Sequence, residues 1–221
     1  VGLDINPLIE TRVDSPAFLG IAGDIADEST QQAALEQAVR RFGGLDMVVL
    51  NAGMFPGGTH IADLKTEDWQ QVLRVNLDAN LALMRESYPL LRLAPNGGRM
   101  VVMGSKNVLA PGAGAAAYSA SKAALTQLMR IAAFEWGGDG IRINALHPDA
   151  VFDTGIWTEE VLQARATHYG MSVEEYKTRN VLKVEVTSRD VAELSAEMCG
   201  PLFAKTTAAQ LPVDGGNERV I

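Results

Sequence analysis

The sequence predicts an α/β fold built on a parallel sheet. Three observations carry that prediction. Short apolar runs alternate with longer segments of helical period, the pattern of successive βα units. Hydrophobic residues make up 47% of the chain and charged residues 21%, which fills a core and leaves a polar surface. A length of 221 residues suits one domain, 1–221, with a substantial core.

The elements follow in order. Val1–Ile5 and Phe18–Ala22 are short apolar runs and read as strands, the first interrupted by Asp4. Glu28–Phe42 has helical period, and Met47–Asn51 is the next apolar strand. Thr66–Leu93 reads as a long helix, with Thr66 as its N-cap and the acidic residues of "TEDW" in the first turn, where they suit the helix dipole. Arg99–Met103 is a strand, Ala115–Gly137 a helix and Arg142–Leu146 a strand. "SRDVAEL" repeats the capping pattern at Ser188, opening a helix over Ser188–Leu202, and Ala209–Val213 closes the sheet. The stretch from Asp149 to Thr187 has no strand. Ligands of an open α/β sheet bind beyond the carboxyl ends of its strands, so residues 149–187 read either as a substrate lid inserted there or as a surface helix pair.

Composition narrows the function. A net charge of −8 with no basic stripe argues against a nucleic-acid partner, whose phosphates need Lys and Arg. The longest apolar runs are too short to span a bilayer, and the opening "VGLDINP" lacks the regions of a signal peptide. The single cysteine, Cys199, excludes an internal disulfide and suits a reducing, cytoplasmic setting. His60, His168 and Cys199 are too scattered for a metal site, so no metal is expected. His147, before Pro148 at a strand end, reads more readily as a packed histidine than as a catalytic one.

The chemistry concentrates in "AAYSASKAAL". Tyr118 and Lys122 stand four apart, and on a helix such positions share a face. A free phenol has a pKa of about 10; a neighbouring ammonium stabilises the phenolate and is expected to lower it. Ser105, after the strand "RMVVM", supplies a hydroxyl that can bond a substrate oxygen while the tyrosine moves the proton. "NAG" at Asn51–Gly53 ends a strand in small residues, where backbone can approach a flat cofactor. "GDIAD" offers Asp24 and Ile25 to an adenine edge. Asn76 is a polar residue in the apolar run "VNL", and "LPVDGG" closes the chain in a strand and glycine turn.

Taken together, "NAG", the Asn of "VNL", "GS", "YSASK" and the terminal "DGG" resemble, in order, the motifs of the short-chain dehydrogenase/reductase family over nearly the whole chain. The resemblance implies a Rossmann-type, doubly wound parallel sheet in three layers, a nicotinamide cofactor, and a tetrad of Asn76, Ser105, Tyr118 and Lys122. It implies cofactor contacts from Asp4, Ile5, Asp24, Ile25, Asn51, Ala52, Gly53, Tyr118, Lys122, Pro148, Val151 and Thr154. Asp4, at the end of the family's second strand, favours NAD over NADP because its carboxylate would repel a 2′-phosphate. The family's first strand and glycine-rich loop are absent from this chain. In the implied strand order 3-2-1-4-5-6-7, that leaves the first two strands as a detached pair. The expectation is that the natural polypeptide continues upstream with a strand, a glycine-rich turn and a helix.

A second departure follows the strand "RINAL": the family's Pro-Gly is "HPD" here, with Asp149 for the glycine and Asp153 where a threonine is expected. "GSKN", "HPDAVFDTGIW", "THYGMSVEEYKTRN" and "VDGGNERVI" resemble the C-terminal part of bifunctional rhamnulose-1-phosphate aldolase/alcohol dehydrogenases. That resemblance implies an upstream aldolase domain and NAD-dependent oxidation of lactaldehyde in rhamnose catabolism. The alternatives are a general carbonyl reductase with another small-molecule substrate, or a non-catalytic scaffold. Lys106, Asp149 and Trp157 are candidate substrate contacts. Lys106 reads equally as a solvated loop residue, and Trp157, His168, Tyr169 and Arg179 serve either closure over substrate or packing within 149–187. The resemblance also implies a homodimer or homotetramer, packed through Thr66–Leu93 and Ala115–Gly137.

Overall fold

The sequence alternation builds two parallel sheets in a computed structural model that describes residues 1–217. Strands β1 (Gly2–Asp4) and β2 (Gly20–Ala22) pair with each other. Strands β3 (Met47–Leu50), β4 (Arg99–Met103), β5 (Arg142–Pro148) and β6 (Gln210–Val213) form a second sheet in the order β3-β4-β5-β6. All six strands lie where the apolar runs placed them, and among the described residues the first pair stands apart from the four-stranded sheet. Register aligns Leu50 with Val102 and Met103 with Leu146, so the carboxyl ends of β3, β4 and β5 come to one edge.

The central strands are apolar on both faces because both are covered. From β4, Met100 and Val102 enter a core with Leu91, Leu125 and Met129; Val101 and Met103 enter another with Val191 and Met198. Helices α3 (Ala79–Leu91) and α4 (Ala116–Trp136) contribute to the first core, with α1 (Glu28–Phe42) packed against α3, and α7 (Ser188–Cys199) contributes to the second. Sheet between two helical layers is the Rossmann-type, doubly wound arrangement. Arg99 and Arg142, register partners at the amino ends of β4 and β5, turn onto the end of α7: Arg99 Nε donates to Cys199 O at 3.2 Å and Arg142 Nη1 to Phe203 O at 2.5 Å. Cations there suit the negative end of a helix dipole.

Several local expectations need correction. The helix expected over Thr66–Leu93 is α2 (Thr66–Leu73), a π-helical turn at Arg74–Asp78, and α3. Its N-cap is Lys65 and not Thr66, which is already helical; no side chain caps it. The last helix is capped by Thr187 and not Ser188. Thr187 and Asp190 form a capping box, while Ser188 donates its N–H and hydroxyl to Asp153 at 2.7 and 2.6 Å. That helix stops at Cys199, followed by a 3₁₀ turn at Pro201–Phe203. Residues 149–187 hold α5 (Glu159–His168) and α6 (Val173–Lys177).

Candidate active site

Helix α4 brings the reactive pair to the carboxyl edge of the sheet. Lys122 is 3% exposed. Its ammonium donates to Met103 O at 2.7 Å, at the end of β4, and lies 5.9 Å from the centroid of the Tyr118 ring. Burial pulls the Lys122 pKa down from 10.5 to about 8, because an ammonium loses its hydration there. Tyr118 packs edge-on against Phe55 at 5.2 Å between centroids.

The Tyr118 hydroxyl shares a hydrogen bond with the Ser105 side chain. Burial pushes the phenol above its ordinary value, and the bond to Ser105 only partly offsets this. The expected lowering by Lys122 is therefore overturned. Desolvation of the phenolate dominates, and the ammonium is committed to a backbone carbonyl. Ser105 Oγ accepts from Asn107 N at 3.1 Å, which leaves its hydrogen to point at Tyr118.

Asn76 sits in the π turn with no exposed surface. Its Oδ1 accepts from Met54 N at 2.8 Å, and its Nδ2 donates to Met54 O at 3.0 Å and Ser121 Oγ at 3.1 Å. It thus ties the loop after β3 to α4. Gly53 completes the junction: a Cβ there would lie 3.3 Å from Lys122 Nζ and 3.4 Å from Asn76 Oδ1. Asn76, Ser105, Tyr118 and Lys122 are brought together by the π turn after α2, the end of β4 and α4, which are far apart in sequence.

Seven of the expected cofactor contacts, Asp4, Ile5, Asp24, Ile25, Asn51, Ala52 and Gly53, line one cavity of about 580 Å³ between the two sheets. Its apolar walls of Leu50, Val75 and Ile25 beside the carboxylates of Asp4 and Asp24 suit a flat ring and sugar hydroxyls. Gly53 keeps that cradle open to Lys122, so the residues present fit a dinucleotide. Pro148 ends β5, beyond which Thr154 donates its hydroxyl back to Val151 O at 2.8 Å. Lys106 pairs with Asp149 at 2.9 Å across the ends of β4 and β5, and Asp149 also accepts from Asn217. Trp157 does not join them: it packs on Phe152 at 5.0 Å, while the Arg179 guanidinium lies 4.8 Å from Tyr169 and 4.9 Å from Tyr176. These rings pack within 149–187.

Three groups at the site escaped the sequence reading of its chemistry. Ser121 lies three residues after Tyr118, on the same helical face, and donates to Tyr118 O at 2.7 Å. Asn80, one turn after Asn76, donates to Asn76 O at 3.0 Å; two asparagines one turn apart in an apolar helix were the available signal. His147, read as packed, is buried but holds the backbone of Ser105. No sequence spacing advertises that contact. Among the described residues no cluster of His, Cys, Asp and Glu could hold a metal ion.

A family profile described as enoyl-(acyl carrier protein) reductase matches residues 5–218. The chain is 34% identical over 203 residues to the uncharacterized oxidoreductase YuxG of Bacillus subtilis (strain 168), covering 90% of this chain and 29% of that protein. It thus spans less than a third of that relative's length. It is 33% identical over 194 residues to an uncharacterized NAD-dependent oxidoreductase of Mycobacterium tuberculosis (strain ATCC 25618 / H37Rv), covering 87% and 70% of the two chains. The crystal structure of sorbitol-6-phosphate 2-dehydrogenase SrlD from Erwinia amylovora superposes with a TM-score of 0.84 at 23% identity, covering 97% of this chain and 88% of that one; at that identity the likeness is one of fold.

Proposed function

The chain belongs to the short-chain dehydrogenase/reductase family of NAD(P)-dependent oxidoreductases, and we propose that it uses NAD to oxidise a small hydroxyl or hydrated aldehyde substrate. The observation that carries this is the buried hydrogen bond between Ser105 and Tyr118, backed by the Lys122 ammonium on the same face of α4. Asp4, at the end of β1 and in the lining of that cavity, supports NAD over NADP: its carboxylate would accept ribose hydroxyls and repel a 2′-phosphate. The Mycobacterium relative is itself described as NAD-dependent.

When bound, the nicotinamide supplies a hydride acceptor. The chain's own residues handle the proton. The Ser105 hydroxyl lies beside the Tyr118 oxygen, and on substrate binding it would turn its hydrogen to hold the substrate oxygen in line with the phenol. Tyr118 takes the substrate hydroxyl proton and is the general base of oxidation. A Lys122 that gives up its proton near pH 8 exchanges protons readily in the working range, and its ammonium form favours the phenolate that Tyr118 must become before it can take that proton. Asn76 fixes the π turn and the Met54 backbone against Ser121, so the cofactor loop and α4 keep their spacing.

The finer reading is lactaldehyde oxidation in rhamnose catabolism, fed by an aldolase domain of a longer polypeptide. It rests on the sequence resemblance from "GSKN" and "HPDAVFDTGIW" onward. Lys106, adjacent to Ser105 and paired with Asp149, lies where a hydroxyl or carboxylate of such a substrate would be recognised. Residues 149–187 are read as the lid of a single domain. A cytoplasmic setting rests on the single cysteine. Exposed Leu81, Ile131 and Phe134, on α3 and α4, support assembly as a homodimer or homotetramer through those helices.

The test follows NADH formation with lactaldehyde, sorbitol, xylitol and simple ketones in the reverse direction. Tyr118→Phe should reduce turnover by about a thousandfold or more while leaving the melting temperature close to that of the parent. Near-parental turnover in that variant rejects the assignment. A preference for ketones over lactaldehyde makes the protein a carbonyl reductase.

A further inference from the structure

We propose that His147 is a positioning residue whose neutral imidazole sets the backbone of Ser105 and thereby aims the hydroxyl that bonds Tyr118. The inference deepens the oxidoreductase reading and rests on it for its functional meaning, though not for its geometry. His147 lies in β5, 1% exposed, and its ring reaches under the end of β4. Nε2 is 3.1 Å from Gln210 Oε1 on β6; Nδ1 is 3.2 Å from Ser105 N and 3.1 Å from Ser105 O. One tautomer serves both sides: with the hydrogen on Nε2 donated to Gln210, the Nδ1 lone pair accepts the Ser105 N–H.

The approach is built for this contact. Gly104 precedes Ser105, and a Cβ there would lie 2.4 Å from Nδ1 and 3.0 Å from Leu146 O, so only glycine lets the ring in. Each of three successive residues is pinned from outside its strand. Met103 O accepts from Lys122, Gly104 N donates to Leu146 O at 2.8 Å, and Ser105 N donates to His147. The first of these bonds comes from the lysine of the site itself.

Charge makes the contact sensitive to protonation. Facing the ring are the Gln210 amide from β6, the Ser105 peptide from the end of β4 and the Lys122 ammonium from α4. Burial, with a smaller contribution from that ammonium, holds the imidazole below its ordinary 6.5 and outweighs the bonds to Gln210 and Ser105. An imidazolium would turn an N–H against the Ser105 N–H; the ring would then bond the Ser105 carbonyl, and the peptide would have to shift.

The test needs neither cofactor nor substrate, so its failure is separable from failure of the oxidoreductase assignment. The Tyr118 phenol is titrated by NMR in protein labelled at the tyrosine ring carbon, its signal assigned by its loss in Tyr118→Phe. His147→Leu removes the acceptor, whereas His147→Asn returns an oxygen close to the place of Nδ1. We expect His147→Leu to raise the Tyr118 pKa by about half a pH unit or more and His147→Asn to restore most of it, since only the former releases Ser105. In the parent protein, the Ser105 amide signal should move with the titration of His147, read from its ring nitrogens. Identical Tyr118 titrations in the parent and His147→Leu would overturn the proposal. Should His147→Leu fail to fold, a Ser105 amide indifferent to the titration of His147 in the parent overturns it instead.

Discussion

Replacing Lys122 with methionine should stabilise the protein at neutral pH while removing its activity, with the sign of the stability change reversing in alkali. The lysine is 3% exposed, its ammonium donates to Met103 O at 2.7 Å, and burial lowers its pKa from 10.5 to about 8. At about 1.36 kcal/mol per pH unit, holding that charge in the folded state costs about 3 kcal/mol. Below pH 8 the lysine is protonated in both states and the full cost is present. Between pH 8 and 10.5 the unfolded chain keeps a proton that the folded chain has released, so stability rises with pH; above 10.5 both forms are neutral and the cost is gone. Methionine has similar length and no charge, but it abandons the Met103 carbonyl, a loss of about 1–2 kcal/mol. The variant should therefore be more stable by about 1–2 kcal/mol at pH 7 and less stable by a similar amount in strong alkali, the two curves crossing between about pH 9 and 10. Urea unfolding of both proteins at a series of pH values measures the difference directly, since groups common to both largely cancel. Parallel stability curves across this range would mean that the charge is not buried as the structure places it, and the reasoning fails.

Other perturbations separate the parts of the site. Asn76→Ala strands the Met54 N–H and C=O and should cost about 2–4 kcal/mol in urea unfolding, with turnover lost beyond what the remaining folded fraction explains. Asp4→Ser should raise the catalytic efficiency with NADP relative to NAD by about tenfold or more, because repulsion of the 2′-phosphate goes with the carboxylate; an unchanged ratio removes Asp4 from cofactor choice. Asp153 is held below the usual carboxylate range chiefly by its bonds to Ser188, so its contribution is present above its unfolded pKa and fades as pH falls through the folded one. Asp153→Ala should therefore speed limited proteolysis within 149–187 at pH 7, and the gap from the parent protein should close in acid.

Much of the framework was legible because its causes are local. Apolar runs located all six strands, and the helix carrying "YSASK" was found to within a residue at each end, since residue spacing alone determines which side chains share a helical face. Caps were less legible. Lys65 and Thr187 replace the expected Thr66 and Ser188, because the choice depends on where the preceding loop delivers the chain, and at Ser188 on a carboxylate thirty-five residues away. In the sequence Trp157 is open between closure over substrate and packing within 149–187; Phe152 and Tyr176 pack against its ring, a contact visible only once that segment is folded.

By itself the sequence determined the parallel α/β plan and the pairing of Tyr118 with Lys122 on one face of a helix. Each follows from periodicity along a single segment. Tertiary structure alone decided that Ser105 meets Tyr118, that Lys122 turns to Met103 O, that the phenol is pushed up, and that His147 reaches under Gly104 to hold Ser105. Those outcomes depend on desolvation and on hydrogen-bond partners from other strands and helices. Neither quantity exists until the register of β4 against β5 and the seat of α4 on the sheet bring distant residues within a few ångströms.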